Sequence, residues 1–173
     1  GNSSTTTAIV TVEELVAPNA SCAAPFTIQL DETGSASITV EDINNGSSDN
    51  CGIESMSIDM DTFDCASVGE NTITLTVTDG SGNSATSEVV VTIIDMTAPI
   101  VVTQNISVEL DAFGNASISV ADIDDESFDA CGIVSMSLDQ TNFSCPTLGD
   151  HTVTLTVIDV NGNSASEIAI VNF

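Results

Sequence analysis

The sequence contains no lysine and no arginine, against 26 aspartates and glutamates in 173 residues. Average usage would supply roughly 20 basic residues at this length. Their absence excludes several kinds of function. No basic patch exists to meet phosphates, so nucleic acid is excluded as a partner. No polybasic segment can lie on anionic lipid. No lysine can form a Schiff base, and no arginine can clamp a phosphoryl group. Tryptophan and tyrosine are also missing, and six phenylalanines supply all the aromatic content. Sugar-stacking clefts therefore have little to draw on. His151 is the only histidine, and Asn71 holds its place in the other copy of the repeat described below. No G-x-S-x-G elbow occurs. No apolar run approaches ~18 residues, so no direct membrane insertion is expected.

What is present reads as folded β-structure. Apolar residues make up 42% of the chain, too many for a disordered acidic tail. Val, Ile, Thr, Ser and Asn dominate, which suits strands and tight turns.

The sequence repeats itself internally. Residues 31–93 align with 111–173 at a constant offset of 80 without a gap. DNCGIESMSID (49–59) matches DACGIVSMSLD (129–139), and NTITLTVTDGSGNSA (71–85) matches HTVTLTVIDVNGNSA (151–165). GNSSTTTAIVTVEELVAP (1–18) resembles GNSATSEVVVTIIDMTAP (82–99). The expected organisation is therefore a last strand of a preceding repeat at 1–17, one repeat at 18–97, and a second at 98–173 that stops short in its last strand. Such ends are expected of a window in a longer array.

Each unit reads as β throughout. ISVEL (106–110) and ASISV (116–120) alternate around DAFGN, the pattern of a hairpin. HTVTLTVID and SEIAIVNF flank a second turn at Val160–Asn163, and IVSMSLD supplies a strand between. Six or seven short strands in about 80 residues predict an immunoglobulin-like β-sandwich. The fold class is all-β, as tandem sandwiches.

Five cysteines are present. Cys51 and Cys65 are spaced as Cys131 and Cys145 are. The plainest pairing is Cys51–Cys65 and Cys131–Cys145, one disulfide per repeat. Free thiols and a metal site are the alternatives, but two soft ligands per repeat are too few for a metal. Disulfides imply an oxidising, extracytoplasmic compartment. Cys22 is left over, as a buried thiol or as one half of a bond with no partner here.

The pattern DNCG, apolar strand, Cys, then xxTVTLTVTDxxGNSA and an AP linker resembles the hyalin-repeat (HYR) domain. It is most similar to the HYR-like repeats of very large surface adhesins in gliding Bacteroidota. The resemblance covers nearly the whole chain. It implies an immunoglobulin-like sandwich, an extracellular cell-surface location, adhesive or structural duty and no enzymatic activity. Many members carry one cysteine in the first strand and another in the last. Cys22 matches the first, while the last strand here has none.

Calcium is the one cofactor the composition favours, because carboxylates and carbonyls are its preferred ligands. The richest segment is Asp122, Asp124, Asp125, Glu126 and Asp129, five carboxylates in eight residues. They repel unless water or a cation screens them. Strand alternation in a sandwich places this loop and the Asp159 turn beside the preceding linker, which carries Asp95, with the Asp31–Glu32 turn nearby. An inter-repeat Ca²⁺ site is expected from Asp31, Glu32, Asp95, Asp122, Asp124, Asp125, Glu126, Asp129 and Asp159. Asp31, Asp111, Asp79 and Asp159 also suit purely local turn roles.

The expected function is a structural or adhesive segment of a long extracellular adhesin or filament. Its partners would be neighbouring repeats of the same chain and a surface or glycan. The alternative is a glycan- or ligand-binding immunoglobulin-like module of a secreted protein.

Overall fold

The computed structural model describes residues 1–144 and 149–173. In the first sequence copy the elements are β1 (Phe26–Gln29), β2 (Ala36–Ser37), α1 (Val40–Ile43), β3 (Ile53–Ile58) and β4 (Thr62–Phe63). A 3₁₀ turn at Cys65–Ser67 then leads into β5 (Gly69–Asp79) and β6 (Ser84–Ile94). The second copy repeats the order with β7 (Ile106–Ser107), β8 (Asn115–Ser117), α2 (Val120–Ile123), β9 (Ile133–Leu138), β10 (Asn142–Ser144), β11 (Asp150–Asp159) and β12 (Ser164–Asn172).

Each copy forms two sheets. One is four-stranded, in the order β1-β6-β5-β3 or β7-β12-β11-β9. The other is two-stranded, β2-β4 or β10-β8. The chain is all-β, built as tandem immunoglobulin-like sandwiches, as the repeat pattern predicted.

The long hairpin is the backbone of each copy. In β11, Val153, Leu155 and Val157 are fully buried and threonines alternate with them. On β12, Ala169 and Val171 face the same core. Ile118, Ile123 and Phe143 close it from the smaller sheet and its connection. In the first copy the matching positions Ile73, Leu75, Val77, Val89 and Val91 are buried, as are Ile38, Ile43 and Phe63.

By contact the chain divides into two compact units. One comprises Gly1–Phe26, Ser37–Thr62 and Glu70–Thr92; the other comprises Thr27–Ala36, Phe63–Gly69 and Ile93–Phe173. One end of the first sequence copy, including Cys65 and Asp95, therefore belongs to the second compact unit.

Three local expectations differ. The DAFGN segment does make a turn, with the Gly114 N–H donating to the Asp111 carbonyl at 2.9 Å. But its flanking strands are not a hairpin. β7 pairs in parallel with β12, Val171 opposite Ile106, while β8 pairs with β10. Alternation marks a strand with one buried face; it does not name the partner. Second, residues 1–17 form no strand. Ile9, Val10 and Val12 remain exposed, Ile9 at 96%, and no strand among the described residues pairs with them to satisfy the backbone as a strand requires. Third, each copy carries a one-turn helix that no 3.6-residue period announced. Thr39 with Asp42, and Ser119 with Asp122, form reciprocal capping boxes that hold it.

Candidate functional site

The turn that closes the long hairpin is built around a buried aspartate. Asp159 is wholly inaccessible to solvent. Its Oδ1 accepts from the N–H groups of Asn161 at 2.9 Å and Asn163 at 2.8 Å. Its Oδ2 accepts from Asn163 Nδ2 at 2.8 Å. Asp79 makes the same three bonds with Ser81 and Asn83. Burial works against ionisation of Asp79, but the bonds from the Asn83 side chain and from the Asn83 and Ser81 N–H groups outweigh it and lower its pKa.

The asparagine of each turn has a second bond. Asn83 Nδ2 donates to Glu14 Oε2 at 2.8 Å and to the Glu14 carbonyl at 3.3 Å. Asn163 Nδ2 donates to the Asp95 carbonyl at 3.3 Å. Glu14 and Asp95 hold matching places in the repeat. The same contact between an acidic linker residue and the following D-x-x-G-N turn is thus made twice, once in each compact unit.

At Asp95 this contact becomes a candidate cation site. Asp95 is only 9% exposed. Its Oδ1 accepts from the Thr97 N–H at 2.9 Å, and its Oδ2 is buried without a hydrogen-bond partner. A ligand atom from each of Asp95, Asp129 and Cys131 lies within 4.8 Å of the others. The sulfur is already spent in a disulfide, which leaves two carboxylates. Asp129 also lines a cavity of about 220 Å³ with Glu32, Thr97 and Ala98. An orphaned, buried carboxylate oxygen facing a second carboxylate, with a third acidic residue on the adjoining cavity, suits a hard oxygen-seeking cation.

The other expected ligands are held by local bonds. Asp31 Oδ1 accepts from the Thr33 hydroxyl and from the N–H groups of Thr33 and Ser35. The Thr33 hydroxyl bond is the main cause of its lowered pKa. Asp122 caps α2, and the Ser119 hydroxyl, followed by its N–H, lowers its pKa likewise. Asp124 Oδ1 accepts from the Ser127 N–H at 3.1 Å. Asp125 is exposed, and its N–H donates to the Val102 carbonyl. Glu126 takes a left-handed backbone at φ 66° and is exposed. Asp159 has its oxygens satisfied within its own turn. The structure therefore brings Asp95 and Asp129 together, with Glu32 lining the cavity beside Asp129. It does not gather the rest of the acidic loop into one site.

The cysteine pairing differs from the expected one. Cys65 is bonded to Cys131, with Cα atoms 5.2 Å apart and a sequence separation of 66. Cys22 and Cys51 are free. The expected Cys51–Cys65 bond is excluded by strand direction. Cys51 precedes β3, whose Ile53 lies opposite Asp79 at the end of β5. Cys65 precedes the start of β5 at Gly69. A six-residue strand spans about 20 Å, while a disulfide needs Cα atoms within about 7 Å. The Cys131–Cys145 bond is excluded because Cys131 is already engaged; Cys145 itself lies outside the described residues. The signal that could have found Cys65–Cys131 was the argument that placed the Asp129 loop beside the linker, since Cys131 follows Asp129 by two positions.

Gly34 makes room for the bond. It is buried at φ 74°, and a Cβ there would lie 2.7 Å from Cys65 Sγ and 3.6 Å from Cys131 Sγ. Neither Gly34 nor the Glu14–Asn83 contact was anticipated from the sequence. The match of Glu14 to Asp95 in the repeat was the available clue.

No family model matches the chain, and no curated protein sequence does. The hyalin-repeat resemblance accordingly rests on its motifs. Among solved structures, the chain is similar to protocadherin gamma C5 EC1-3 at 10% identity and TM-score 0.45, covering 91% of this chain and 68% of that one. It is similar to human protocadherin-24 EC1-2 at 12% identity and TM-score 0.45, covering 91% and 98%. For mouse cadherin-23 EC22-24 the values are 12% and 0.43, covering 90% and 66%. No helix among the described residues is long and apolar enough to cross a membrane.

Proposed function

We propose that this chain is a structural and adhesive repeat segment of an extracellular cell-surface protein. Tandem sandwiches act as a stalk or as a distributed weak-binding surface, in attachment to a surface or glycan. The observation that carries this reading is the Cys65–Cys131 bond, which covalently ties a residue of the first sequence copy to one of the second. A bond in that place resists separation of successive copies under load, a duty suited to a filament. It also belongs to an oxidising, extracytoplasmic compartment. Attachment during gliding, as in the adhesins the motifs resemble, is the narrower form of the same reading.

Ca²⁺ fits as the second element of the joint. Asp95 and Asp129 would hold it, with Glu32 and water available to complete the oxygen shell. Bound there, the cation would neutralise carboxylates that have no basic residue to pair with. Calorimetric titration of the full chain with CaCl₂ tests this, with thermal melts alongside. The reading expects measurable heat at or below millimolar Ca²⁺ and a higher melting temperature, both lost in Asp95→Asn. Neither heat nor a shift in the parent chain would leave the joint a hydrated acidic one and remove Ca²⁺ from the account.

A further inference from the structure

The corner that holds Asp95 and Asp129 also holds two sulfurs. One ligand atom from each of Asp95, Asp129 and Cys131 lies within 4.8 Å of the others. Cys65 adds a fourth donor beside them, because its sulfur is bonded to that of Cys131. All four residues belong to the second compact unit. While the disulfide stands, its sulfurs are poor metal ligands, since the thiolate is the binding form. Once it is opened, the corner offers two carboxylates and two thiols. Two sulfurs and two oxygens are the four donors of a closed, tetrahedral zinc site. Two cysteines within one copy are too few for a metal; here the sulfurs come from different copies and the carboxylates complete the set.

The fold prepares this set in three ways. Asp95 Oδ2 is buried and takes no hydrogen bond. Its carboxylate is nonetheless anchored, because Oδ1 accepts from the Thr97 N–H at 2.9 Å and the Asp95 carbonyl accepts from Asn163 Nδ2 at 3.3 Å. Asp129 is fixed against the cysteine's own backbone, with Oδ1 accepting from the N–H groups of Cys131 at 2.8 Å and Gly132 at 3.1 Å. Gly34 gives the sulfurs room to part. A tetrahedral zinc with Zn–S bonds of about 2.3 Å holds two sulfurs about 3.7 Å apart, wider than a disulfide does. Cys65 Sγ lies 3.8 Å from the Gly34 carbonyl oxygen, on the side where a Cβ would have stood 2.7 Å away.

We propose that Cys65, Cys131, Asp95 and Asp129 form a Zn²⁺ site in the reduced protein, so that Cys65 and Cys131 stay tied covalently when oxidised and through the metal when reduced. The reductant is a dithiol. One of its thiolates attacks a cysteine sulfur, breaks the Cys65–Cys131 bond and leaves a mixed disulfide; its second thiol then closes a cyclic disulfide and releases the other cysteine. Each cysteine sulfur gains one electron and one proton, and the dithiol loses two of each. Zn²⁺ then displaces both protons as it binds. The inference shares Asp95 and Asp129 with the Ca²⁺ reading and goes beyond it in metal, ligand set and redox state.

The test uses the full chain carrying Cys22→Ser, Cys51→Ser and Cys145→Ser, which leaves two cysteines. The chain is reduced with dithiothreitol, desalted without oxygen and titrated with Co²⁺ as a spectroscopic stand-in, then with Zn²⁺. The expected result is a thiolate-to-cobalt absorption band with the visible bands of a tetrahedral centre, saturating at one Co²⁺ per chain and bleached by Zn²⁺. The oxidised chain should show neither. Cys65→Ser and Cys131→Ser should each collapse the tetrahedral signal, and Asp95→Asn should weaken Zn²⁺ binding by at least about tenfold. If reduction unfolds the chain, one equivalent of Zn²⁺ should restore the β-sheet circular dichroism. The proposal is overturned if the reduced chain gives no tetrahedral signal, if two chains share one metal, if Asp95→Asn and Asp129→Asn both bind Zn²⁺ as the parent does, or if Zn²⁺ fails to refold an unfolded reduced chain. Heat from CaCl₂ in the oxidised chain is measured in parallel, so that either metal can fail without the other.

Discussion

Asp95 concentrates the chemistry of the joint in one side chain. A buried carboxylate oxygen without a partner is costly, by roughly 1–3 kcal/mol, unless something meets it. Asp95→Asn should therefore leave the metal-free protein at least as stable as the parent, while removing any gain from Ca²⁺; paired melts with CaCl₂ and with a chelator read both effects. Asp159 is the opposite case. It is as deeply buried and every bond it needs is made, so Asp159→Ala should destabilise by about 2–4 kcal/mol, measured by denaturant unfolding. Sequence reading separated these two only in part. D-x-x-G-N announced the turn at Asp159, because a short acidic side chain followed by glycine is a local signal. Nothing local announced that Asp95 would be left with an orphan oxygen, since that depends on what strand pairing brings beside it.

Among the elements, the β11–β12 hairpin was fully legible, because strict alternation and a tight turn both lie within one stretch of chain. The β7–β8 segment looked just as clear and was not a hairpin. Its alternation came from facing the core, and its partners lie far away in sequence at β12 and β10. The disulfide was missed for the same reason: near in sequence is not near in space once a strand intervenes. The helices at Val40–Ile43 and Val120–Ile123 carry a capping signature, T-x-x-D and S-x-x-D, that is readable in hindsight but too short to show a period. Gly34 belongs to this scale as well, as the turn residue on which the disulfide rests. Gly34→Ala adds a Cβ at positive φ against sulfur, and a loss of about 1–3 kcal/mol is expected by denaturant unfolding. The loss caused by Gly34→Ala should be smaller in a Cys65→Ala background, where the opposing sulfur is gone, and an equal loss there would mean that backbone strain alone is responsible.

For the whole molecule the governing fact is a charge of −26 with nothing basic to balance it. Added NaCl should raise the melting temperature by screening self-repulsion. The acid limit follows from the hydrogen-bonded carboxylates. Asp31, Asp42, Asp59, Asp79, Asp122 and Asp139 all have pKa values lowered in the folded state from 3.8. The unfolded chain thus binds protons first as the pH drops. The stability these groups contribute is complete above the ordinary carboxylate range and is lost as pH falls through their folded values. A melting temperature that holds down to about pH 5 and falls below about pH 4 is the expected profile. The disulfide also acts at this scale. Closing a loop of 66 residues is worth about 4 kcal/mol in the chain-entropy treatment, so reduction should lower the unfolding midpoint substantially.

The claim on which the account turns is that successive copies are covalently joined, rather than each being stapled internally. Peptide mapping of the monomeric, air-oxidised chain without reductant tests it most directly, using cleavage at acidic residues. The account predicts one disulfide-linked fragment pair, Cys65 with Cys131, with Cys51 and Cys22 alkylated. Recovery of Cys51 bonded to Cys65 and Cys131 bonded to Cys145 would contradict it.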